Sequence, residues 1–152
     1  MKVDLKKILL AEDNPKDVEL TLEALAAHNL ANQVVVVHDG VEVLEYLRRE
    51  GQFHDRAPGS PVVLLLDIKM PRMDGMEVLR AIRADDELKT LPVVILSSSR
   101  EERDIVEGYE LGVNAYVGKP VDFKVFMSAV QLLGRFWAIV NETPAEGVGN
   151  GA

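Results

Sequence analysis

The chain has 152 residues, a net charge of −8, a hydrophobic content of 47% and no cysteine. Such a length suits one globular domain with a substantial core, and disulfides and thiolate metal sites are excluded. The acidic charge argues against direct binding to DNA or to an anionic membrane surface. Because no apolar stretch approaches the roughly 20 residues of a membrane span and the N-terminus has no signal-peptide core, we expect a cytoplasmic protein.

Strand and helix patterns alternate along the chain. In order, the predicted elements are a strand at 7–11, a helix at 15–29, a strand at 33–37, a helix at 40–50, a strand at 62–66, a helix at 76–84, a strand at 92–96, a helix at 101–111, a strand at 115–117 and a helix at 123–140. Apolar or β-branched runs mark the strands, and apolar residues spaced by three and four mark the helices. Asn14, Asp39 and Asp122 are candidate N-caps, and Gly112 is a helix stop.

Five strands, each followed by a helix, predict an α/β fold with a parallel sheet and helices on both faces. A doubly wound sheet is the default for this pattern, although the spacing of the elements does not settle the order of the strands. The domain is predicted over residues 6–140, and the glycine-containing tail at 141–152 is predicted to be flexible.

Polar residues with chemical potential follow the predicted strands. Asp67 comes directly after the apolar run at 62–66, Glu12 and Asp13 follow the first strand, Ser97 follows the fourth, and Lys119 follows the fifth. The C-terminal ends of parallel strands meet at one edge of the sheet, where ligands bind. Carboxylates gathered there repel each other unless a cation joins them, and their hard oxygen ligands suit Mg²⁺.

Acids, a hydroxyl and an amine around Mg²⁺ are typical of a phosphoryl-transfer site. The cation and Lys119 neutralise phosphoryl oxygens, hydroxyl and backbone N–H groups donate to them, and Asp67 can act as a nucleophile that forms an aspartyl phosphate. Two functions fit: a signalling module controlled by phosphorylation, or a Mg²⁺-dependent phosphohydrolase. The hydrolase class typically places its nucleophile after the first strand and needs a cap for its substrate, so the position of Asp67 favours the signalling module.

Four segments in order resemble the receiver domain of two-component response regulators. They are Leu10–Pro15, Leu66–Gly75, Pro92–Ser97 and Tyr116–Pro120. The resemblance implies the flavodoxin-like fold, a strand order of 2-1-3-4-5 and five helices. It also implies a domain that accepts a phosphoryl group from the phosphohistidine of a histidine kinase, catalyses its own phosphorylation and dephosphorylation, and signals by a change at its surface.

The same resemblance assigns a role to each site residue. Asp67 is the phosphoacceptor, and Lys119 contacts the phosphoryl group. The Mg²⁺ ligands are Asp13 directly, Glu12 mainly through water, Asp67, and the carbonyl of Lys69. Ser97 and Tyr116 are the switch pair, and the backbone N–H of Ser98 donates to the phosphoryl group. The lysine side chain at position 69 departs from many receivers, which carry a neutral or acidic residue there.

A narrower resemblance is to stand-alone receivers that partner bacterial phytochrome histidine kinases. It rests on Glu12–Asp17, on the long loop after the second helix, on Lys119–Phe123 and on Phe136-Trp137. The implied partner is a histidine kinase of the bacteriophytochrome class. The output is a protein contact, further phosphoryl relay, or drainage of phosphate from the kinase, and the sequence does not choose among them.

The last predicted helix is apolar around most of its circumference. Its polar side chains between Phe123 and Val140 are Lys124, Ser128, Gln131 and Arg135, which form one narrow stripe. An exposed patch that contains Phe136 and Trp137 predicts a homodimer built on this helix. The alternative is that these two aromatic side chains fold back onto their own domain.

Overall fold

Five parallel strands form the centre of the molecule in the computed structural model, which describes residues 7–26 and 34–130. They are β1 Ile8–Ala11, β2 Val34–Val37, β3 Val63–Asp67, β4 Val93–Ser97 and β5 Ala115–Gly118. The order across the sheet is β2-β1-β3-β4-β5, and each neighbouring pair is parallel. The predicted doubly wound sheet and its strand order are therefore confirmed.

A helix follows each strand. The helices are α1 Pro15–Ala26, α2 Gly40–Arg48, α3 Gly75–Ala84, α4 Arg100–Gly108 and α5 Phe123–Val130, and a short 3₁₀ helix covers Gly51–Phe53. Asn14, Asp39 and Asp122 accept hydrogen bonds from backbone N–H groups of the following turn, as predicted for N-caps. No helix within the described ranges is both long and apolar enough to cross a membrane.

The end of the predicted last helix, the tail at 141–152 and the aromatic pair Phe136-Trp137 lie outside the described residues. The same is true of the end of the first predicted helix, at 27–29. The homodimer and the flexible tail therefore stay predictions.

The two faces of the sheet bury separate apolar clusters. In β3, Leu64 and Leu66 belong to one cluster, and Val63 and Leu65 belong to the other. The first cluster takes in apolar residues of α2, α3 and α4, whereas the second takes in residues of α1 and α5, including the fully buried Phe126. Because successive side chains of a strand point to opposite faces, a strand buried on both sides is a continuous apolar run.

The observed element ends differ from the predicted ones at two informative places. β3 and β4 each extend one residue further than predicted, so Asp67 and Ser97 are the last residues of strands rather than the first residues of loops. Helix α4 ends at Gly108 instead of 111. Glu110 has a φ of 50°, in the left-handed region, and this conformation cannot continue a right-handed helix.

Gly75, the first residue of α3, lies against the backbone at the end of β3. A Cβ atom at this position would meet the carbonyl oxygen of Asp67 and would lie 2.9 Å from the Cα atom of Ile68. Both neighbours are backbone, so relief of the overlap requires the loop after β3 to move.

We therefore expect Gly75→Ala to lower the free energy of unfolding by about 1–3 kcal/mol, as overpacking does. Gly118→Ala is the matched control, because a Cβ atom there has no heavy atom within 4 Å. Urea unfolding of both variants and the parent measures the effect. Equal stability of the two variants would show that the approach at Gly75 is not tight.

Candidate functional site

The parallel register brings the polar strand ends together at one edge of the sheet. Asp67 is the last residue of β3, Ser97 is the last residue of β4, and Glu12 and Lys119 each follow their strand directly. Backbone hydrogen bonds hold Glu12 and Lys119 at the ends of neighbouring strands. The Glu12 N–H donates to the Val37 carbonyl at 3.0 Å, and the Lys119 N–H donates to the Ser97 carbonyl at 2.9 Å. The prediction that these residues lie at the same edge is confirmed.

Lys119 joins three carboxylates. Its Nζ atom lies 3.0 Å from Asp67 Oδ1, 3.1 Å from Glu12 Oε1 and 3.1 Å from Asp17 Oδ2. The sequence alone predicts no role for Asp17. The signal that could have found it is its position in the first turn of α1, which begins at the end of β1 beside Glu12.

The buried carboxyl groups of this site are costly to ionise. Burial, together with the charge of Asp67, raises the pKa of Glu12 to about 7. Burial also raises the pKa of Asp67, although the hydrogen bond from Lys119 acts in the opposite direction. Burial lowers the pKa of Lys119, but the hydrogen bonds and charges of Asp67, Asp17 and Glu12 together outweigh burial and raise this pKa above its usual range. One lysine therefore leaves the negative charge of the cluster only partly compensated.

The acidic cluster has the chemistry of a divalent-metal site. One carboxylate oxygen each from Glu12, Asp13 and Asp67 lies within 4.8 Å of the others. These residues line a cleft of about 520 Å³, to which Lys69 and Lys119 also contribute. A set of oxygen donors with excess negative charge suits a hard cation, so the residues present fit the predicted ion.

The predicted switch residues share a second, smaller cavity. Ser97 and Tyr116 line this cavity of about 240 Å³, and Ser98 and Lys119 line it as well. The guanidinium of Arg103 lies over the ring of Tyr116, 4.7 Å from its centroid. The sequence does not predict this contact of Arg103, because nothing in it pairs the first half of α4 with β5.

Ser98 has hydrogen-bond partners that the sequence does not predict. Its backbone N–H and its hydroxyl both donate to Glu102 Oε1, at 2.8 Å and 3.0 Å. Glu102 Oε2 lies 3.7 Å from Lys69 Nζ. The serine at position 99 followed by glutamate at 102 is a capping-box pattern, and this signal in the sequence would have drawn attention to Glu102.

The chain is similar to known proteins in sequence and in fold. The model of the response regulator receiver domain family matches residues 8–131 of this chain. Response regulator Rcp1 of Synechocystis sp. is 35% identical over 92% of this chain and 94% of its own length. The solved structure of the Mn²⁺-bound form of Rcp1 superposes with a TM-score of 0.67 at 35% identity, covering 87% of this chain and 94% of that one.

Two further solved structures are similar. The bacteriophytochrome response regulator AtBRR has a TM-score of 0.84 and 56% identity, covering 89% of this chain and 96% of that one. The phosphorylated cyanobacterial phytochrome response regulator RcpA has a TM-score of 0.70 and 41% identity, covering 89% and 95%. With the family match over most of the chain, these similarities show that the chain belongs to the response regulator receiver domain family, which is phosphorylated in two-component signalling.

Proposed function

We propose that Asp67 is the residue that accepts the phosphoryl group, from the phosphohistidine of a histidine kinase. The observation that carries the proposal is the position of this carboxylate. It is buried at the C-terminal end of the central strand β3, 3.0 Å from Lys119 Nζ and beside the other two carboxylates of the acidic cluster. In an open parallel sheet, this edge is where a ligand can reach the strand ends.

The reaction is an in-line displacement at phosphorus. A carboxylate oxygen of Asp67 forms the new P–O bond, and the P–N bond to the imidazole breaks. Lys119 compensates the charge of the phosphoryl oxygens from within the site. Glu12, Asp13, Asp67 and the Lys69 carbonyl would hold Mg²⁺, which when bound supplies neutralisation of phosphoryl charge.

The relatives support a phytochrome kinase as the donor. Rcp1, AtBRR and RcpA resemble this chain over at least 89% of its length, and AtBRR and RcpA are phytochrome response regulators. We infer that a bacteriophytochrome histidine kinase phosphorylates the protein in the cytoplasm. The phosphohydrolase alternative is not favoured, because the fold and the family are those of receivers.

Phosphotransfer profiling tests the choice of kinase. Each histidine kinase of the source organism is first loaded with labelled phosphate and then mixed briefly with the protein. We expect the bacteriophytochrome to transfer label at the earliest time points. Faster transfer from a kinase of another class would overturn the phytochrome assignment, while leaving the phosphoacceptor proposal intact.

The signal is proposed to leave the site through Ser97 and Tyr116. Phosphorylation adds charge and strong acceptor oxygens at Asp67. The hydroxyl of Ser97 approaches them by movement of the loop after β4, and Tyr116 then takes up the space in the smaller cavity that both residues line.

Ser97→Ala is therefore expected to be phosphorylated but to transmit the change poorly to α4. Two-dimensional NMR of the parent and the variant, each with and without phosphorylation, measures the shifts of the Arg100–Gly108 amides. We expect these shifts to fall by about half or more in the variant, since one hydrogen-bonded coupling is lost. Shifts of equal size in both proteins would contradict the route.

The homodimer on the last helix remains our proposal for the assembled state. Val125, in the described part of α5, is 52% exposed, so this part of the helix contributes one apolar side chain to the surface. We expect light scattering to give the mass of a dimer at tens of micromolar, which is on the order of a moderate association, and Trp137→Glu to give a monomer. A monomeric parent would rule the dimer out.

A further inference from the structure

The carboxylate of Glu102 occupies the hydrogen-bond donors of the loop that follows β4. Only 8% of this residue is exposed, although it lies in the first turn of a surface helix. Its Oε1 atom accepts from both the N–H and the hydroxyl of Ser98, and its Oε2 atom faces the amine of Lys69. The carboxylate therefore joins the loop after β3 to the loop after β4.

The hydrogen bonds that the Glu102 carboxylate accepts from Ser98 differ from those of an ordinary helix cap. In α3, Glu77 accepts from the N–H of its own N-cap residue, Asp74, at 2.9 Å. In α4, Ser99 is the N-cap residue and binds the N–H of Glu102 in the usual way. The Glu102 carboxylate, however, reaches one residue further back, to Ser98. The extra reach places negative charge on the wall of the cleft that contains Asp67.

A phosphoryl group on Asp67 would need the same space and the same donors. Both groups are anions, and Glu102 lines the cleft that a phosphoryl group on Asp67 would enter. The Ser98 N–H and the Lys69 amine, which face Glu102 in the structure, are donors that an anion in this cleft would also use. Two anions that share one set of donors in a confined site repel each other, so they compete for the donors.

We propose that Glu102 is a positioning residue that acts as an internal ligand of the phosphoryl-binding loop and is displaced when Asp67 is phosphorylated. The inference rests on the proposed function of Asp67. Displacement of Glu102 also disturbs its neighbour Arg103, whose guanidinium covers the ring of Tyr116. Movement of Glu102 in the cleft is therefore passed through the first turn of α4 to Arg103, and from Arg103 to the ring of Tyr116.

The test is a titration with beryllofluoride and Mg²⁺, a non-covalent mimic of the phosphoryl group. NMR follows the Ser98 amide in the parent, in Glu102→Gln and in Glu101→Gln. Glutamine keeps the size and an acceptor oxygen but removes the charge, and Glu101 is an exposed acid in the same helical turn. We expect Glu102→Gln to bind beryllofluoride about fivefold more tightly, the scale of one partly solvated charge contact, and Glu101→Gln to match the parent.

The chemical shift of the Ser98 amide proton shows whether Glu102 acts through its hydrogen bond to Ser98 or only through its charge. Without beryllofluoride, its proton resonance should move upfield in Glu102→Gln and further in Glu102→Ala, because the charged acceptor is weakened and then lost. Glu102→Ala should also bind beryllofluoride more tightly than the parent. Equal or weaker binding by both Glu102 variants, or an unchanged Ser98 resonance, would overturn the competition.

Failure of the proposed function gives a different result. If the parent shows no beryllofluoride response that depends on Asp67, then the phosphoacceptor assignment falls and the competition falls with it. If the parent responds and Asp67→Asn does not, equal affinity of the parent and Glu102→Gln overturns the role of Glu102 alone.

Discussion

Asp67→Asn is expected to abolish stable phosphorylation, both by a histidine kinase and by acetyl phosphate. Asparagine keeps the shape of the side chain but lacks the nucleophilic carboxylate oxygen that forms the aspartyl phosphate. We expect the rate of labelling to fall on the order of 10³-fold or more, the scale seen when an enzyme loses its nucleophile. Acid-stable and acid-labile label, separated after incubation with labelled donor, measure the effect.

Asp104→Asn is the control for this substitution. Asp104 is exposed on α4, so its substitution by asparagine removes the same charge from the protein without changing the cleft. It should be labelled at the parental rate, and circular dichroism should show the same fold for all three proteins. Equal acid-labile labelling of Asp67→Asn and the parent would remove Asp67 from the role of phosphoacceptor.

Lys119→Gln is expected to destabilise the metal-free protein by about 3 kcal/mol at neutral pH. The substitution removes the cation that lies within 3.1 Å of Glu12, Asp17 and Asp67, and loss of one partner from a buried ion pair leaves an uncompensated charge. Added Mg²⁺ should restore part of the lost stability, because the ion binds the folded cluster and not the unfolded chain. Lys124→Gln, which changes an exposed lysine of α5, should have little effect.

The loss caused by Lys119→Gln should depend on pH. Burial and the charge of Asp67 raise the pKa of Glu12 from 4.5 to about 7 in the folded protein. A carboxyl group with a raised pKa stabilises the fold while it is protonated, fully below its unfolded value, and this contribution disappears as the pH rises through the folded value. Without Lys119, the pKa of Glu12 rises further.

The loss in free energy of unfolding caused by Lys119→Gln is therefore expected to be small at about pH 5 and to reach its full size at about pH 8. Lys119 itself keeps its charge over this whole window, since its pKa is raised above the ordinary value for lysine. Urea unfolding of the metal-free proteins at both pH values gives the two differences. A deficit that is constant with pH, or larger at the acidic end, would show that Lys119 does not stabilise the carboxylates of the site.

The sequence predicts the sheet and the composition of the site for identifiable reasons. An apolar run such as 63–66 has few alternatives to a strand buried on both faces. Once the strands are parallel, the polar residues at their C-terminal ends meet at one edge of the sheet. Asp67, Glu12 and Lys119 come together for this reason alone. The strand order, by contrast, follows from the resemblance to receivers and not from the spacing of the elements.

The contacts that the sequence does not reveal depend on local backbone geometry. The reach of Glu102 to Ser98 instead of Ser99 depends on how the loop after β4 enters α4, and the same residue pattern gives an ordinary capping box at Asp74. The early end of α4 depends on the left-handed conformation of Glu110, which is not a glycine. These features set the details of the cleft, whereas the pattern of apolar residues sets its place in the fold.

The most direct test of the account is to map the labelled residue after transfer from a phosphohistidine. A bacteriophytochrome histidine kinase loaded with phosphate is mixed with the protein and Mg²⁺, the product is reduced with borohydride to trap the acyl phosphate, and its peptides are analysed by mass spectrometry. The account predicts loss of phosphate from the kinase and modification at Asp67 alone. Modification at another residue, or transfer that proceeds equally well with Asp67→Asn, would contradict it.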